Sequence, residues 1–508
     1  MVGLVKSFGL SGLEGYPVEV EVDIKSGLPK YDLVGLPDAA VKESKERVES
    51  AIKNSLLIFP SKRITINMAP ASTKKEGPIF DLAIAVSILV ASEQIKNDKY
   101  KDYVILGELS LDGKIRPITG LLPLLISAKK KGHTNFIIPC GNEGEASYIE
   151  GLNVFAFSNL LDVFNFLSGT LEKEPIIIKK WEPDKSPKSS EDFARVKGQA
   201  VAKRAMEIAA CGGHNILMVG PPGSGKTMLA RCVPGILPDL TFEEALEVTK
   251  IHSVAGVLDL DKGVVTSRPF RTPHHTATTI ALTGGGLKAK PGEISLAHNG
   301  VLFLDEMPEY SRQSLETLRQ PLEDGVITVA RNAKTVTYPA NFILIASMNP
   351  CPCGNYGSRE LQCTCSPSAI HKYLSRLSGP LLDRIDLKID VDRVKFYDLV
   401  SQSHEETSEM IKERVNKARQ IQIERFKEDG IYCNAKMTTK HINKYCKLDD
   451  KSKRLIEDAF ERFNMSARGY NRILKVARTI ADLEGSENIL PAHIAEAISY
   501  RSIEKIQL

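Results

Sequence analysis

Hydrophobic and polar positions along the chain fall into stretches with different periods. From Pro17 to Ile24 apolar and acidic residues alternate (Val18-Glu19-Val20-Glu21-Val22-Asp23), the period of two that a half-exposed strand requires. Ile64-Thr65-Ile66-Asn67-Met68 predicts a second strand, and the apolar run from Asp81 to Val90 predicts a buried helix. Val104 to Ile115 reads as a hairpin turning at Asp112-Gly113. Three short apolar runs then stand apart: Asn215–Val219, Val301–Leu304 and Phe342–Met348, each short enough for a buried strand. Glu323 to Tyr338 predicts a hairpin with two β-rich arms around Arg331-Asn332-Ala333-Lys334. Beyond residue 394 the period is helical, and the last helix is opened by Pro491.

These elements sort into domains. Residues 1–168 predict an α+β domain, and 169–191 a proline- and charge-rich linker. Residues 192–393 predict an α/β core, and 394–508 a helical domain. A chain of 508 residues has room for about three such units. No run of roughly 18 apolar residues is present, which excludes a membrane-spanning helix. The N-terminus lacks a signal core, so a cytoplasmic location is expected. The net charge of +4 is nearly balanced and permits nucleic-acid binding only through local patches.

The chemistry begins at Gly220-Pro221-Pro222-Gly223-Ser224-Gly225-Lys226-Thr227, a full match to G-x-x-x-x-G-K-[ST]. A strand precedes it and a helix start, Met228–Arg231, follows. The glycines let backbone N–H groups face phosphates, Lys226 reaches the β- and γ-phosphates, and Thr227 ligates Mg²⁺. Val301–Leu304 ends in Asp305-Glu306, which suits a second Mg²⁺ contact at Asp305 and a water-polarising carboxylate at Glu306. Phe342–Met348 ends at Asn349, an amide placed to hold the attacking water or touch the γ-phosphate. Arg384, between Asp383 and Asp386, fits either a structural salt bridge or a guanidinium lent to a neighbouring subunit's site.

Four of the nine cysteines, Cys351, Cys353, Cys363 and Cys365, form C-x-C-x₉-C-x-C between Asn349 and Arg384. Four thiolates this close suit structural Zn²⁺. Two disulfides or an iron–sulfur cluster are the alternatives.

The order of phosphate loop, Asp-Glu strand, Asn strand, Leu-Asp-Arg and helical segment resembles an AAA+ ATPase. More closely it resembles the magnesium-chelatase-like branch and its ComM/YifB family. The stretches that carry the likeness are Arg268–His275, Pro291–Gly300, Leu377–Asp386 and Arg472–Ala481. The resemblance runs over essentially the whole chain. It implies ATP and Mg²⁺ as cofactors, a homo-hexameric ring, Arg384 as the arginine finger and Arg468 as a second-sensor arginine on a helical lid. It also implies that Val196, Gly198 and Gln199 lie beside the adenine.

Within that frame the basic hairpin tip, Arg331 and Lys334, is a candidate for tracking DNA phosphates. A second candidate is the insert holding Arg268, Arg271 and Lys288; subunit packing is the competing reading for both. His274-His275 suggests packing or hydrogen bonding rather than a metal. Residues 64–139 resemble the proteolytic domain of Lon, of the ribosomal-S5-like fold. The nucleophile and base positions of that pattern hold Ile79 and Leu122, so no peptidase activity is expected. Asp81, Lys74 and Lys75 nearby read as a helix cap and surface charge. The family role is an ATP-driven DNA motor, a helicase or branch-migration enzyme in recombination and natural transformation. The alternative is a chelatase-like ATPase that remodels a protein partner.

Overall fold

The computed structural model describes residues 2–184, 191–286, 289–331, 334–358, 361–394, 405–463 and 465–501. The chain forms two compact units: Met1–Glu182 with Phe242–Val265, and Pro183–Thr241 with Thr266–Leu508.

The first unit is built on a seven-stranded mixed sheet. Its strands are β1 (Gly3–Ser11), β2 (Glu14–Lys25), β3 (Lys30–Val34), β4 (Arg63–Ala69), β5 (Tyr103–Ile105), β8 (Asn135–Pro139) and β9 (Asn153–Phe157), in the order β3-β4-β2-β1-β5-β8-β9. β2 shows the alternation read from its sequence: Val18, Val20 and Val22 are buried while the acidic residues between them face outward. The helix Asp81–Ala91 is buried all round, as its unbroken apolar run requires. The expected hairpin is shorter than its pattern suggested. β6 (Glu108–Leu109) pairs with β7 (Ile115–Arg116) around Asp112-Gly113, while Val104 and Ile105 leave it for the large sheet.

Two charge assignments are corrected here. Asp81 is no surface cap: it is buried, and both its oxygens accept from Arg47, at 2.6 and 3.0 Å. Burial raises its carboxyl to about 6 against the pull of Arg47. Lys75 is not surface charge either; it is fully buried and donates to the Pro70 carbonyl. Only Lys74 is exposed.

The division of the chain also differs from the one expected. Leu171 and Ile176 pack on the first unit's core, and the Ile176 and Lys179 N–H groups donate to the Val154 and Ser147 carbonyls at 2.8 and 2.7 Å. That half of the expected linker is therefore part of the domain, while residues 185–190 lie outside the described residues. Phe242–Val265, by sequence inside the α/β core, belongs to the first unit. Its helix, Phe242–Ala255, buries Ala245, Val248 and Ile251. The Ser253 hydroxyl, 2.8 Å from the buried Glu145 carboxylate, accepts from the Gly120 N–H at 3.1 Å.

The second unit has a five-stranded parallel sheet of β10 (Ile216–Val219), β11 (Phe270–Arg271), β14 (Val301–Leu304), β17 (Ile343–Met348) and β18 (Leu387–Asp390), ordered β11-β14-β17-β10-β18. β10, β14 and all but the first residue of β17 are buried, which explains their continuous apolar runs. Two short ribbons accompany the sheet. One pairs β12 (Gly284–Gly285) with β13 (Lys290–Pro291); the other pairs β15 (Val326–Arg331) with β16 (Lys334–Pro339) in the register Arg331↔Lys334. Helices Ser408–Arg425, Thr439–Tyr445, Asp450–Arg462, Ala467–Leu483 and Pro491–Ser499 form the C-terminal part. No helix among the described residues is long and apolar enough to cross a membrane.

Candidate nucleotide and metal sites

Parallel strands bring their carboxyl ends to one edge, the usual place for a ligand on such a sheet. β10 delivers the loop Gly220–Thr227 there, β14 delivers Asp305 and Glu306, and β17, lying between them, delivers Asn349. A side chain on Gly220 would run into the Val391 carbonyl, 2.0 Å from its Cβ position, so the loop enters against the end of β18.

Lys226 is 8% exposed, and its ammonium donates to the Gly220 and Pro221 carbonyls at 2.8 Å each. It also reaches Asn349 Oδ1 at 3.4 Å, joining phosphate loop to sensor amide. Desolvation lowers its pKa, opposed by Asp305 and Glu306. Thr227 Oγ1 donates to Asp305 Oδ2 at 2.8 Å, so the two groups expected to hold Mg²⁺ already converge. Glu306 takes a left-handed backbone (φ 51) that leaves its carboxylate exposed.

Ser347 and Tyr373 here were not singled out from sequence; the His274-His275 pair was, for packing or hydrogen bonding. Ser347 Oγ binds the other oxygen of Asp305 and accepts from the Glu306 N–H at 3.2 Å. His275 Nδ1 lies 3.9 Å from the Glu306 carboxylate, and its ring packs on His274 at 4.1 Å. The backbone of Asn349 faces the buried Tyr373 hydroxyl, whose pKa burial raises. None of these contacts leaves a sequence signal, because each joins separate strands or loops.

On the flank of the loop, Gln199 Nε2 donates to the Asp392 carbonyl at 2.6 Å and the Ser224 carbonyl at 3.3 Å. The Gly198 N–H donates to Glu405 at 3.3 Å, and Val196 is buried. Of the three residues expected beside a nucleotide base, Gln199 thus borders the phosphate loop.

Arg384 and Arg468 are not brought to this edge. Arg384 precedes β18, whose first residue pairs with the first residue of β10. The Asn215 side chain holds that opposite end together. It donates to the Arg384 carbonyl at 3.1 Å and accepts from the Leu344 N–H at 2.8 Å. At about 3.3 Å per residue, a four-residue strand puts Arg384 on the order of 13 Å from the chain's own phosphate loop. The Arg384 guanidinium binds Glu323, and Arg468 Nη2 lies 3.8 Å from the other oxygen of that carboxylate.

The four cysteines do converge: their sulfurs all lie within 4.8 Å of one another. Cys351–Cys353, Cys351–Cys363 and Cys353–Cys363 are separated by 3.3, 3.7 and 3.6 Å. Four ligands at about 2.3 Å from a tetrahedral Zn²⁺ stand roughly 3.8 Å apart, so the set fits a metal. All four are free thiols, which sets aside the disulfide alternative. The Thr364 and Asn355 backbone N–H groups lower the Cys353 thiol, while Cys363 and Cys365 are raised by burial and the neighbouring thiols, so a bound cation would have to supply the charge that keeps all four as thiolates. The cysteine loop also touches the phosphate loop, since a Cβ on Gly354 would fall 2.3 Å from Pro222 Cδ.

The insert arginines offered for DNA are engaged within the protein. Arg268 donates to the Pro238, Asp239 and Asn299 carbonyls at 2.6, 3.1 and 2.8 Å. Arg271 forms a two-pronged pair with Glu293, both bonds 2.7 Å. They serve packing. Lys288 lies outside the described residues, as do the side chains of Arg331 and Lys334.

A phosphate loop, an Asp-Glu pair and the Asn349 amide on one edge of a parallel sheet define a P-loop nucleotide-binding core. Residues 192–399 match the family described as magnesium chelatase, subunit ChlI. Residues 20–142 match subunit ChlI of Mg-chelatase, and 405–501 match the ChlI C-terminal family. The chain is 44% identical to the competence protein ComM of Haemophilus influenzae, over 99% of this chain and 98% of that protein. It is 42% identical to YifB of Escherichia coli over the same shares. A magnesium-chelatase 38 kDa subunit of Cereibacter sphaeroides is 27% identical over 31% of this chain and 52% of its own length. The chain therefore belongs to the magnesium-chelatase-like AAA+ proteins of the ComM/YifB type.

Proposed function

We propose that the protein is an ATP-hydrolysing motor that works as a homo-hexameric ring on single-stranded or branched DNA. Lys226 and the loop amides bind the phosphates, Thr227 and Asp305 would hold Mg²⁺, and Glu306 with Asn349 orients the attacking water. Mg²⁺, when bound, neutralises charge on the β- and γ-phosphates. Val196, Gly198 and Gln199 border the base.

The observation that carries the ring is the position of Arg384. It sits with Arg468 at the far end of the strands from its own phosphate loop, which supports the reading that both guanidiniums serve a neighbour's nucleotide. The helices after residue 405 then act as the lid that carries Arg468. The competence role named for the Haemophilus influenzae relative supports DNA as the substrate. The β15–β16 hairpin is the element proposed to touch it. The first unit is read as a ribosomal-S5/Lon-like domain without peptidase chemistry: Ile79 and Leu122, at its nucleophile and base positions, are core residues.

Mixing tests the shared site. Lys226→Ala loses nucleotide binding, Arg384→Ala keeps binding and loses hydrolysis, and an equimolar mixture regains part of the ATPase. Normal hydrolysis by Arg384→Ala refutes sharing. Stimulation of ATPase by a four-way junction, with resolution of the labelled junction, supports the motor; no response to DNA supports remodelling of a protein partner.

A further inference from the structure

Guanidiniums crowd the amino-terminal edge of the β10–β18 sheet: among the described residues Arg319, Arg468 and Arg472 act on Arg384, and Arg501 lies beside Arg472, with Glu316, Glu323, Asp383 and Asp386 as the carboxylates nearby. Arg319 is satisfied by Glu316 at 3.0 Å and Arg472 by Asp386 at 3.2 Å. Arg384 and Arg468 share one carboxylate, that of Glu323. Arg384 is nearly buried, and its Nε has no partner among the described residues. Its Nη1 donates to the Pro380 carbonyl at 2.7 Å. Desolvation, then Arg319, Arg468 and Arg472, lower its pKa, the signature of a cation short of counter-charge. A γ-phosphate, with three oxygens and more than one negative charge, would satisfy both guanidiniums better than one carboxylate does.

Glu323 is placed to yield. Its side chain is 49% exposed, so leaving Arg384 returns it to water at little cost. It sits next to last in the short helix Arg319–Asp324, and the chain turns at Gly325 straight into β15.

We propose that Glu323 is a competing carboxylate: it holds Arg384 and Arg468 inside the lone subunit and releases them to the γ-phosphate of a neighbour's ATP. It is a positioning residue, acting through the two arginines. This rests on the shared-site reading above and adds to it a threshold for assembly: neighbour and nucleotide must together displace the carboxylate. Because Glu323 stands at the foot of the β15–β16 hairpin, its release is also the event that reports the neighbour's ATP to that hairpin.

The test is Glu323→Gln, which keeps shape and removes charge, with Glu323→Asp as the charge-retaining control. ATPase is titrated against ATP and against subunit concentration. For Glu323→Gln, the ATP and subunit concentrations at half-maximal rate fall about threefold, the scale of one half-exposed ion pair. Turnover at saturation does not drop. Glu323→Asp follows the unmodified protein. In the Arg384→Ala background, where hydrolysis is lost and nucleotide binding is titrated instead, Glu323→Gln shifts half-saturation less than it does in the unmodified protein. A fall in saturating turnover with unchanged half-saturation would make Glu323 a structural prop of the assembled site and overturn the proposal, as would no change in either quantity. Full activity of Arg384→Ala alone would instead remove the shared site itself, a result separable from both.

Discussion

Replacing Gly354 by alanine probes a place where the cysteine loop meets the phosphate loop. Gly354 has φ 82, and its added methyl would sit 2.3 Å from Pro222 Cδ and 2.9 Å from Cγ. The left-handed backbone costs an alanine about 1–2 kcal/mol. Relieving the overlap costs about 1–3 kcal/mol more, since a proline ring cannot swing aside as a flexible side chain can. Which loop absorbs the strain depends on stiffness. With metal bound, four bonds pin the cysteine side, so Pro222 and its neighbours must give way. At about 1.4 kcal/mol per factor of ten, nucleotide affinity should weaken by roughly ten- to a hundredfold. After chelation the cysteine side yields instead, and the loss should shrink severalfold. Titration with a fluorescent ATP analogue, paired with elemental analysis before and after a chelator, reads both quantities. A fully metal-loaded Gly354→Ala protein that binds nucleotide as tightly as the unmodified chain refutes the coupling.

Two further outcomes are expected. Cys351→Ser and Cys363→Ser each lower metal content and ATPase together; full activity in metal-free protein, measured by elemental analysis beside a phosphate-release assay, sinks the role of the metal. Lys388 is held at about 8, chiefly by burial and then by Arg501 and Arg472. The unfolded chain thus holds that proton more tightly: the penalty is complete below about pH 8 and fades as pH rises toward 10.5. Lys388→Met should therefore gain up to about 3 kcal/mol at pH 7, at about 1.4 kcal/mol for each tenfold weakening of proton binding, and little at pH 10.5. Urea unfolding at the two pH values checks this, and an equal gain at both contradicts it.

The readable part of this protein was local in sequence. The phosphate loop, Asp305-Glu306 and Asn349 each close an apolar strand, and the four cysteines lie within fifteen residues. Their chemistry requires that adjacency, so a string of letters reveals it. Ser347, His275, Tyr373, Asn215 and Glu323 act across strands or between loops, and their roles exist only once the sheet brings distant segments together. Charged residues misled in the other direction. Lys75 and Asp81 read as surface because isolated charges seldom bury, yet Asp81 has Arg47 and Lys75 the Pro70 carbonyl. Arg268 and Arg271 read equally as phosphate contacts or as packing groups, and only the fold shows the backbone carbonyls and Glu293 that engage them.

The excursion Phe242–Val265 limits how the protein can be taken apart. The chain crosses between the two units at 182/183, 241/242 and 265/266, so they are stitched by three peptide connections rather than one. Cutting at the proline-rich segment would free the ATPase unit while leaving Ala245, Val248 and Ile251 stripped of the core that covers them. Isolated ATPase preparations would carry that bare helix as an aggregation hazard. A sound dissection would replace residues 242–265 with a short polar loop, so that each unit keeps the core its own residues build.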